Sequence, residues 1–458
     1  MSSLFGSLSI AVRSLLSQQA ALETTSNNIA NVNTPGFSRQ RAVLNQEPPI
    51  RLGTLWFGNG VGVERIESIR DRILELRLNS ETEQQGRLEA YLGALKQVEA
   101  YFNETEGAGL EGTLSGFFNA LSELSTNPSD LPLRQRVIIA GENLARAFQE
   151  AARNLHSLQQ NLDQDVAASV DAINSLGRQI ADLNANISAI EGTGQEAGSF
   201  VDQRNLLIRK LSELVDVSVI PADNSLTVTT ANGTALVVGS QSLSLETQID
   251  PGTGLRQVLA QGDDITATIE SGRLGGLLAA RDRAIPSVNA SLDRLAADLA
   301  NSFNVAHHAG FDLSGTPGGD FFVPPPAGGN GAAAVFAVAI GDPSQFAASS
   351  DGSPGSNGNL LALTALREQS IVNGQRPSDF YANLLAQLGN DVATASVDQA
   401  VGSLILQQLT IQRGAVSGVS LDEEAANLIR FQQAFQAAAR VVSVVNELTQ
   451  TAVNLGRN

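Results

Sequence analysis

Three features of the amino-acid sequence predict a mainly α-helical chain with β insertions, nested so that both termini share one inner domain. Heptad-spaced apolar residues recur at each end. An apolar pattern of alternating three- and four-residue steps runs through residues 133–191, far longer than a compact globular domain needs. Between 216 and 270, short runs rich in Val, Leu, Ile and Thr are separated by Asp-Asn and Asn-Gly pairs, a hairpin pattern.

At the N-terminus Leu8, Leu15, Leu22 and Ile29 repeat every seven residues, with Leu4 and Ala11 at the second heptad position. This is an apolar seam that needs a partner helix. Asn27, Asn28, Asn31 and Asn33 then weaken the helix, because their side chains compete for backbone hydrogen bonds. Thr34-Pro35-Gly36-Phe37 fits a type II turn, with Pro second and Gly third.

Residues 38–70 mix short extended pieces with loops. Arg41–Leu44 is strand-like, Pro48-Pro49 breaks it, and the Gly58–Val63 run predicts a hairpin tip. That glycine run lacks the Gly-Lys-Ser/Thr ending of a phosphate loop, so a structural turn is the better reading. Helical spacing returns over 67–102, with Ile69, Ile73, Leu76, Leu88, Leu92, Leu95 and Val98 assigned to one side. A second helix covers 110–125 and ends at Asn127-Pro128-Ser129-Asp130. The long helix follows. Unbroken from 133 to 191, it would span roughly 90 Å at 1.5 Å per residue. Val201–Leu214 is another helix. Strands are then expected at 217–220, 226–229, 236–238, 243–245, 257–259 and 265–269. Helical spacing resumes over 275–303, and 310–358 is rich in Gly, Pro and Ser with Val335–Ile340 as its one strand. Helices return at 359–370 and 378–416.

In the terminal helix Leu428, Phe435 and Val442 hold one heptad position, and Phe431, Ala438 and Val445 the other. The division implied is nested. Residues 1–45 and 416–458 form the halves of an inner coiled-coil domain; 46–215, 271–309 and 359–415 form three parts of a helical rod domain. Residues 216–270 are a β insertion, and 310–358 a loop-rich β excursion.

Composition narrows the function. A net charge of −18 argues against nucleic acid or anionic membrane as a partner. Residues 1–45 carry three arginines against one glutamate and 410–458 carry four against four acids, so the middle holds the negative charge. Near-neutral ends can pack against copies of themselves. There is no cysteine, hence no disulfide or thiolate metal site. Arg13 interrupts the apolar run at the N-terminus, so no cleaved secretory signal is expected, and no run is long enough to cross a membrane.

No catalytic constellation emerges. His156 falls off the apolar seam and should be exposed; His307 and His308 are neighbours that a helix points about 100° apart, a poor geometry for one metal. Asp312–Thr316 lacks the alternating acids of a calcium loop and reads as a turn. Asp163/Asp165 and Asp422/Glu423/Glu424 have ordinary explanations, the last as acids at a helix N-terminus after Ser420. No catalytic residue, cofactor or metal is therefore expected. The assembly seam is assigned to Leu8, Leu15, Leu22, Ile29, Leu428, Phe431, Phe435, Val442 and Val445, and the turn motif to Asn28, Asn31, Asn33, Thr34, Pro35, Gly36 and Phe37.

The stretch Ser26–Phe37 resembles the N-terminal signature of bacterial flagellar axial proteins, the rod, hook and hook-associated subunits. Ser38-Arg39-Gln40, Gly58–Val63, Val201–Asn205, Gly418–Glu424 and Phe431–Arg440 narrow the resemblance to the hook-associated proteins of the hook–filament junction. It covers roughly the first 220 and the last 50 residues. The resemblance implies a non-enzymatic subunit that polymerises at the distal end of the hook and joins it to the filament. It implies as partners copies of the chain, hook protein, the second junction protein (hook-associated protein 3) and an export chaperone at the C-terminal helix. It also implies an extracellular position, reached unfolded through the flagellar type III channel. A hook or distal rod subunit shares the Asn-Thr-Pro-Gly turn, and a flagellum-associated peptidoglycan hydrolase is the alternative from another class.

Overall fold

The structure, a computed structural model, describes residues 2–52, 54–102, 109–222 and 225–455. Helix α1 (Ser2–Ala30) leads through the asparagine-rich turn into four short strands: β1 (Gln40–Gln46), β2 (Ile50–Leu52), β3 (Leu55–Phe57) and β4 (Val61–Ser68). β1 pairs antiparallel with β4, and β2 with β3, so the segment is a ribbon with a second small hairpin at its end. The run Gly58–Val63 is therefore not a hairpin tip: Gly58-Asn59-Gly60 joins β3 to β4, which pair with β2 and β1 and not with each other, and Val61–Val63 already belong to β4. Gly60 has φ +88° there, and a Cβ would sit 3.4 Å from Ile10 Cα, so its glycine serves turn and close approach together.

The helical body follows: α2 (Arg72–Phe102), α3 (Leu110–Leu124), α4 (Leu131–Glu191) and α5 (Gly198–Leu214). α4 is unbroken over 61 residues. Asp130 caps it by accepting from Leu133 N–H at 2.9 Å, and Pro132 occupies its first turn, where a missing N–H costs nothing. Along it Val137, Phe148, Leu158, Val166, Ile173 and Ile180 are buried, in keeping with the three- and four-residue steps of the sequence.

Two small antiparallel sheets come next: β5 (Ser218–Ala222), β6 (Ser225–Thr229), β7 (Ala235–Val238) and β8 (Gln241–Ser242) in the order 5-6-7-8, then β9 (Leu245–Ile249), β10 (Arg256–Ala260) and β11 (Asp263–Asp264). Gly233, at φ +92°, makes the Asn-Gly turn between β6 and β7; Asp223-Asn224 lie outside the described residues. Polar side chains of α4 pin these sheets. Asn174 exchanges two bonds of 2.8 Å with the Leu245 backbone, and Asn184 donates to Leu226 O and Gly239 O. Asp163, 5% exposed, bonds Arg256 and Arg281. It is a buried ion-pair hub, which its place beside Asp165 gave no sign of.

Helices α6 (Gly272–Ala279) and α7 (Ile285–His308) are joined by a π-helical turn at Ala280–Ala284. Then come the four-residue α8 (Ala332–Val335), α9 (Gly358–Ala365), α10 (Pro377–Ser417) and α11 (Leu421–Leu455). Phe117, Phe303, Phe321 and Phe322 form one buried aromatic cluster, with Phe303 and Phe321 centroids 4.9 Å apart.

Three local expectations give way. Residues 265–269 are not a strand: Thr266–Thr268 form a 3-10 turn, with Thr266 Oγ1 accepting from Val258 N–H and Thr268 Oγ1 donating to Ile265 O. Val335–Ile340 is not one either. Asp293 accepts from Gly331 N–H and Ala333 N–H and so starts α8, and only an isolated bridge joins Val338 to Phe322. In α2, Ile73 and Leu76 face outwards while Leu74 and Leu78 pack with Leu409 of α10. The side of α2 is thus chosen by α10, far away in sequence, and Ile69 precedes the helix altogether.

Candidate assembly interface

α1 and α11 lie side by side, and they run antiparallel, because the C-terminal end of α1 meets the first turn of α11: Asn28 Nδ2 is 3.1 Å from Glu424 Oε2. Leu8, Leu15, Leu22 and Ile29 of α1 are half-buried, as are Leu428, Phe431, Phe435 and Val442 of α11, while Val445 is buried. The fully buried apolar positions on the pair are small or β-branched: Ala11, Ala21, Ala438 and Val445. Small residues let two backbones approach closely, at the cost of little area covered. A second apolar face points outwards, comprising Phe5, Val12, Leu16, Val441, Val444 and Leu448. No heptad count of the inner seam reveals that outer face.

The base of the pair is polar and closed. Asn28, 1% exposed, accepts from Gln40 N–H at 2.9 Å, donates to Gln40 O at 2.8 Å and also donates to Glu424. Glu424, 2% exposed, takes Arg39 Nε at 2.7 Å; Arg39 also reaches Glu423 at 2.6 Å and gives its backbone N–H to Ser417 O. One asparagine and one arginine therefore tie α1, β1 and the start of α11 into a single knot. Removing either partner of a carboxylate buried this way would strand an uncompensated charge and is strongly destabilising.

The remaining motif residues surround this knot. Asn31 bonds back to Asn27, and Thr34 Oγ1 donates to Asn31 Oδ1, so these two shape the helix exit. Phe37 N–H bonds Thr34 O at 3.2 Å with Gly36 at φ +84°, the geometry of a type II turn. Asn33, Thr34 and Pro35 are exposed and Phe37 is half-buried. Arg413 of α10 donates to Gly36 O and pairs with Glu75 at 2.5 Å, which also holds Arg209. Ser38 N–H and Arg70 share Asp202 of α5. The turn is thus the joint between the terminal pair and the body. Arg39, Glu75, Asp202, Arg413 and Glu424 make that joint; only the isolated charges near the turn and at the α11 start hinted at them.

Among the described residues no cluster of three or more His, Cys, Asp or Glu has metal-binding geometry, and no helix is long and apolar enough to cross a membrane. His156 is exposed, His308 pairs with Asp320 at 2.8 Å, and His307 is fully buried. His307 Nδ1 donates to Gly319 O at 2.7 Å and Nε2 accepts Ala347 N–H at 2.9 Å, which fixes one neutral tautomer. Burial lowers its pKa to about 4. Asp312 accepts from Ser314 and Thr316 N–H as an ordinary turn residue. A cleft of about 800 Å³ is lined by Asp250, Asp264, Glu270 and Asp282 beside Arg256 and Arg281. The acid most clearly raised in pKa, Glu83 at about 7, lies outside that lining; burial raises it, and it accepts Val217 N–H at 2.9 Å.

Comparison with known proteins identifies the class at both ends and in the middle. Residues 8–37 match the family model described as flagella basal body rod protein, and residues 412–455 the one described as flagellar basal body rod FlgEFG protein C-terminal. Residues 95–322 match the flagellar hook-associated protein FlgK helical domain. Terminal segments shared with rod proteins around a separate helical domain define an axial component of the bacterial flagellum. Flagellar hook-associated protein 1 of Bacillus subtilis is 32% identical over 500 residues, covering 99% of both chains. That of Escherichia coli is 29% identical over 540 residues, covering 97% of this chain and 98% of the relative. The structure of the flagellar hook junction protein FlgK from Burkholderia pseudomallei has the same fold, with TM-score 0.68 at 18% identity, over 74% of this chain and all of the other. The chain belongs to the flagellar hook-associated protein 1 family.

Proposed function

We propose that this chain polymerises at the distal end of the hook and joins hook to filament, with residues 1–45 and 416–458 as the core of the polymer. The observation that carries this reading is the unequal finish of the terminal pair. Its base is closed by Asn28, Arg39 and Glu424, while Phe5, Leu16, Val444 and Leu448 remain uncovered along its outer face. Apolar side chains of this size gain roughly 1.5–3 kcal/mol each when fully buried, so neighbouring copies stabilise the pair where the single chain leaves it bare. Hook protein is the neighbour below and hook-associated protein 3 the neighbour above. The uncovered face of α11 also suits an export chaperone, and the chain leaves the cell without a cleaved signal.

The role is structural and not enzymatic. A glycosidase needs one protonated and one ionised carboxyl group facing a common cleft. Here the acids that burial raises, Glu83 and Asp216, are committed to the backbone amides of Val217 and Ala231, outside the cleft. Asp250, in the cleft lining, is held below the usual carboxylate range by Gly252 N–H and Thr253.

The test is electron microscopy of cells carrying Phe435→Pro, set beside a deletion. Proline inside α11 removes a helical hydrogen bond and leaves the body intact. Both strains should show hooks without filaments and shed flagellin into the medium. Absent hooks would move the chain down to the hook or distal rod, and normal filaments in both would end the junction reading.

A further inference from the structure

The hairpin of β2 and β3 ends in an apolar tip that the rest of the chain leaves uncovered. Leu55, Trp56 and Phe57 are all exposed, Trp56 to 67%, and it is the chain's one tryptophan. The ribbon beneath the tip is fixed to α1. Ser17 Oγ donates to Val61 O, Arg13 pairs with Glu47 at 3.3 Å, and Gly60 packs on Ile10. Because α1 and α11 are antiparallel from Asn28 and Glu424 outwards, this end of the molecule also carries Phe5 and Leu448. A large aromatic held out on an anchored hairpin matches the anchor residues that dominate interfaces.

We propose that the tip docks on the outer face of α1 and α11 in a second copy of this chain, around Leu16 and Val444. The inference rests on the polymerising role proposed above and adds the contact that links one copy to the next. Charge favours a second copy as the occupant. Two molecules of net charge −18 repel one another except where their surfaces carry little charge. Residues 48–63 hold one charged side chain, Arg51, and residues 425–455 hold Arg430 and Arg440 against Glu447, so both surfaces are apolar and carry almost none of the negative charge that keeps copies apart. Symmetry selects tip-to-helix over tip-to-tip. A tip-to-tip contact closes after two copies and leaves the outer helical face bare; a heterologous one repeats and covers both surfaces.

The absence of cysteine makes the test direct. In cells making the Thr54→Cys/Val444→Cys chain, mild oxidation of intact flagella should give products at multiples of the 47.9 kDa chain, and neither single variant should. Self-linking of Thr54→Cys alone, links to a different protein, or no link in flagella that contain the chain would overturn the proposal. A second variant, Trp56→Glu, should be exported with an unchanged circular dichroism spectrum yet reduce filament-bearing cells at least tenfold. If Trp56→Glu builds normal filaments while Phe435→Pro does not, the docking contact is wrong and the junction reading stands. If both build normal filaments, the junction reading falls with it.

Discussion

The helical body and the terminal pair are made from the same residue types and reach opposite ends. In the body, Phe117, Phe303, Phe321 and Phe322 are wholly buried and touch one another ring to ring. In the pair, Leu8, Leu15, Leu22 and Phe435 are covered only in part, and Phe5 and Leu448 stay more than half exposed. The body completes its core within one chain. The pair stops short of completion, and its unfilled surface is what an assembling subunit has to offer. Polar groups follow the same division: those at the base of the pair are buried and partnered, so its position is fixed while its outer face stays open.

The largest effect that would sharpen this contrast comes from paired truncations. Phe303→Ala empties the aromatic cluster and should lower the body's stability by about 3–5 kcal/mol in denaturant titrations. Leu22→Ala removes a half-covered side chain and should cost the monomer only about 1 kcal/mol, yet reduce assembly strongly, since the same atoms become buried there. Equal losses in the two monomers would show that the pair is as finished as the body.

The two regions also differ in how much of them the sequence discloses. The 61 residues of α4 are legible because one apolar stripe repeats with little interruption against neighbours on one side. The type II turn at Thr34–Phe37 is legible because Pro and Gly have few other uses at those places. The face of α2 is not: Leu74 and Ile73 are adjacent, both apolar, and only Leu409, more than 300 residues on, decides between them. The same is true of the joint. Arg39, Glu75 and Glu424 look like surface charges until the chain brings Arg39 to Glu424 and Arg413 to Glu75. Long-range polar pairing leaves no periodic trace, whereas apolar periodicity does.

A second effect, of roughly 3 kcal/mol, is confined to the body and depends on pH. Burial depresses His307 from 6.5 to about 4, so the unfolded chain binds its proton first, and stability is lost as pH falls from 6.5 through 4. Glu83 is shifted the other way, to about 7; its contribution is whole below 4.5 and is lost as pH rises through 7. The two slopes oppose each other between 4.5 and 6.5. Glu83→Gln keeps an oxygen for Val217 N–H and removes one slope. Its stability, followed by urea titration at several pH values, should therefore rise more between pH 4.5 and 6.5 than that of the parent chain, Asp216, which burial also raises, being common to both. A flat profile in that variant would mean that burial does not hold His307 neutral.

The smallest effect bears on the joint alone. Glu424→Gln keeps the shape of the side chain but turns one of its two accepting oxygens into an NH2 group, so with Asn28 on the remaining oxygen the charge-assisted bond to Arg39 is lost. Hydrogen bonds to charged groups are worth about 1.5–3 kcal/mol, and Arg39 retains the exposed Glu423, so a loss near 2 kcal/mol is expected. Where that loss is felt is the informative part. If Asn28, Arg39 and Glu424 form one knot between α1, β1 and α11, amide exchange should quicken along α11 and at Arg39 while α4 and α7 keep their protection. Exchange that quickens equally in the body would mean that the turn transmits the loss through Arg413 and Glu75, making pair and body one cooperative unit rather than two. The arrangement of those charges favours the first outcome: Glu75 is also held by Arg209 inside the body, so it keeps a partner whatever happens at Glu424.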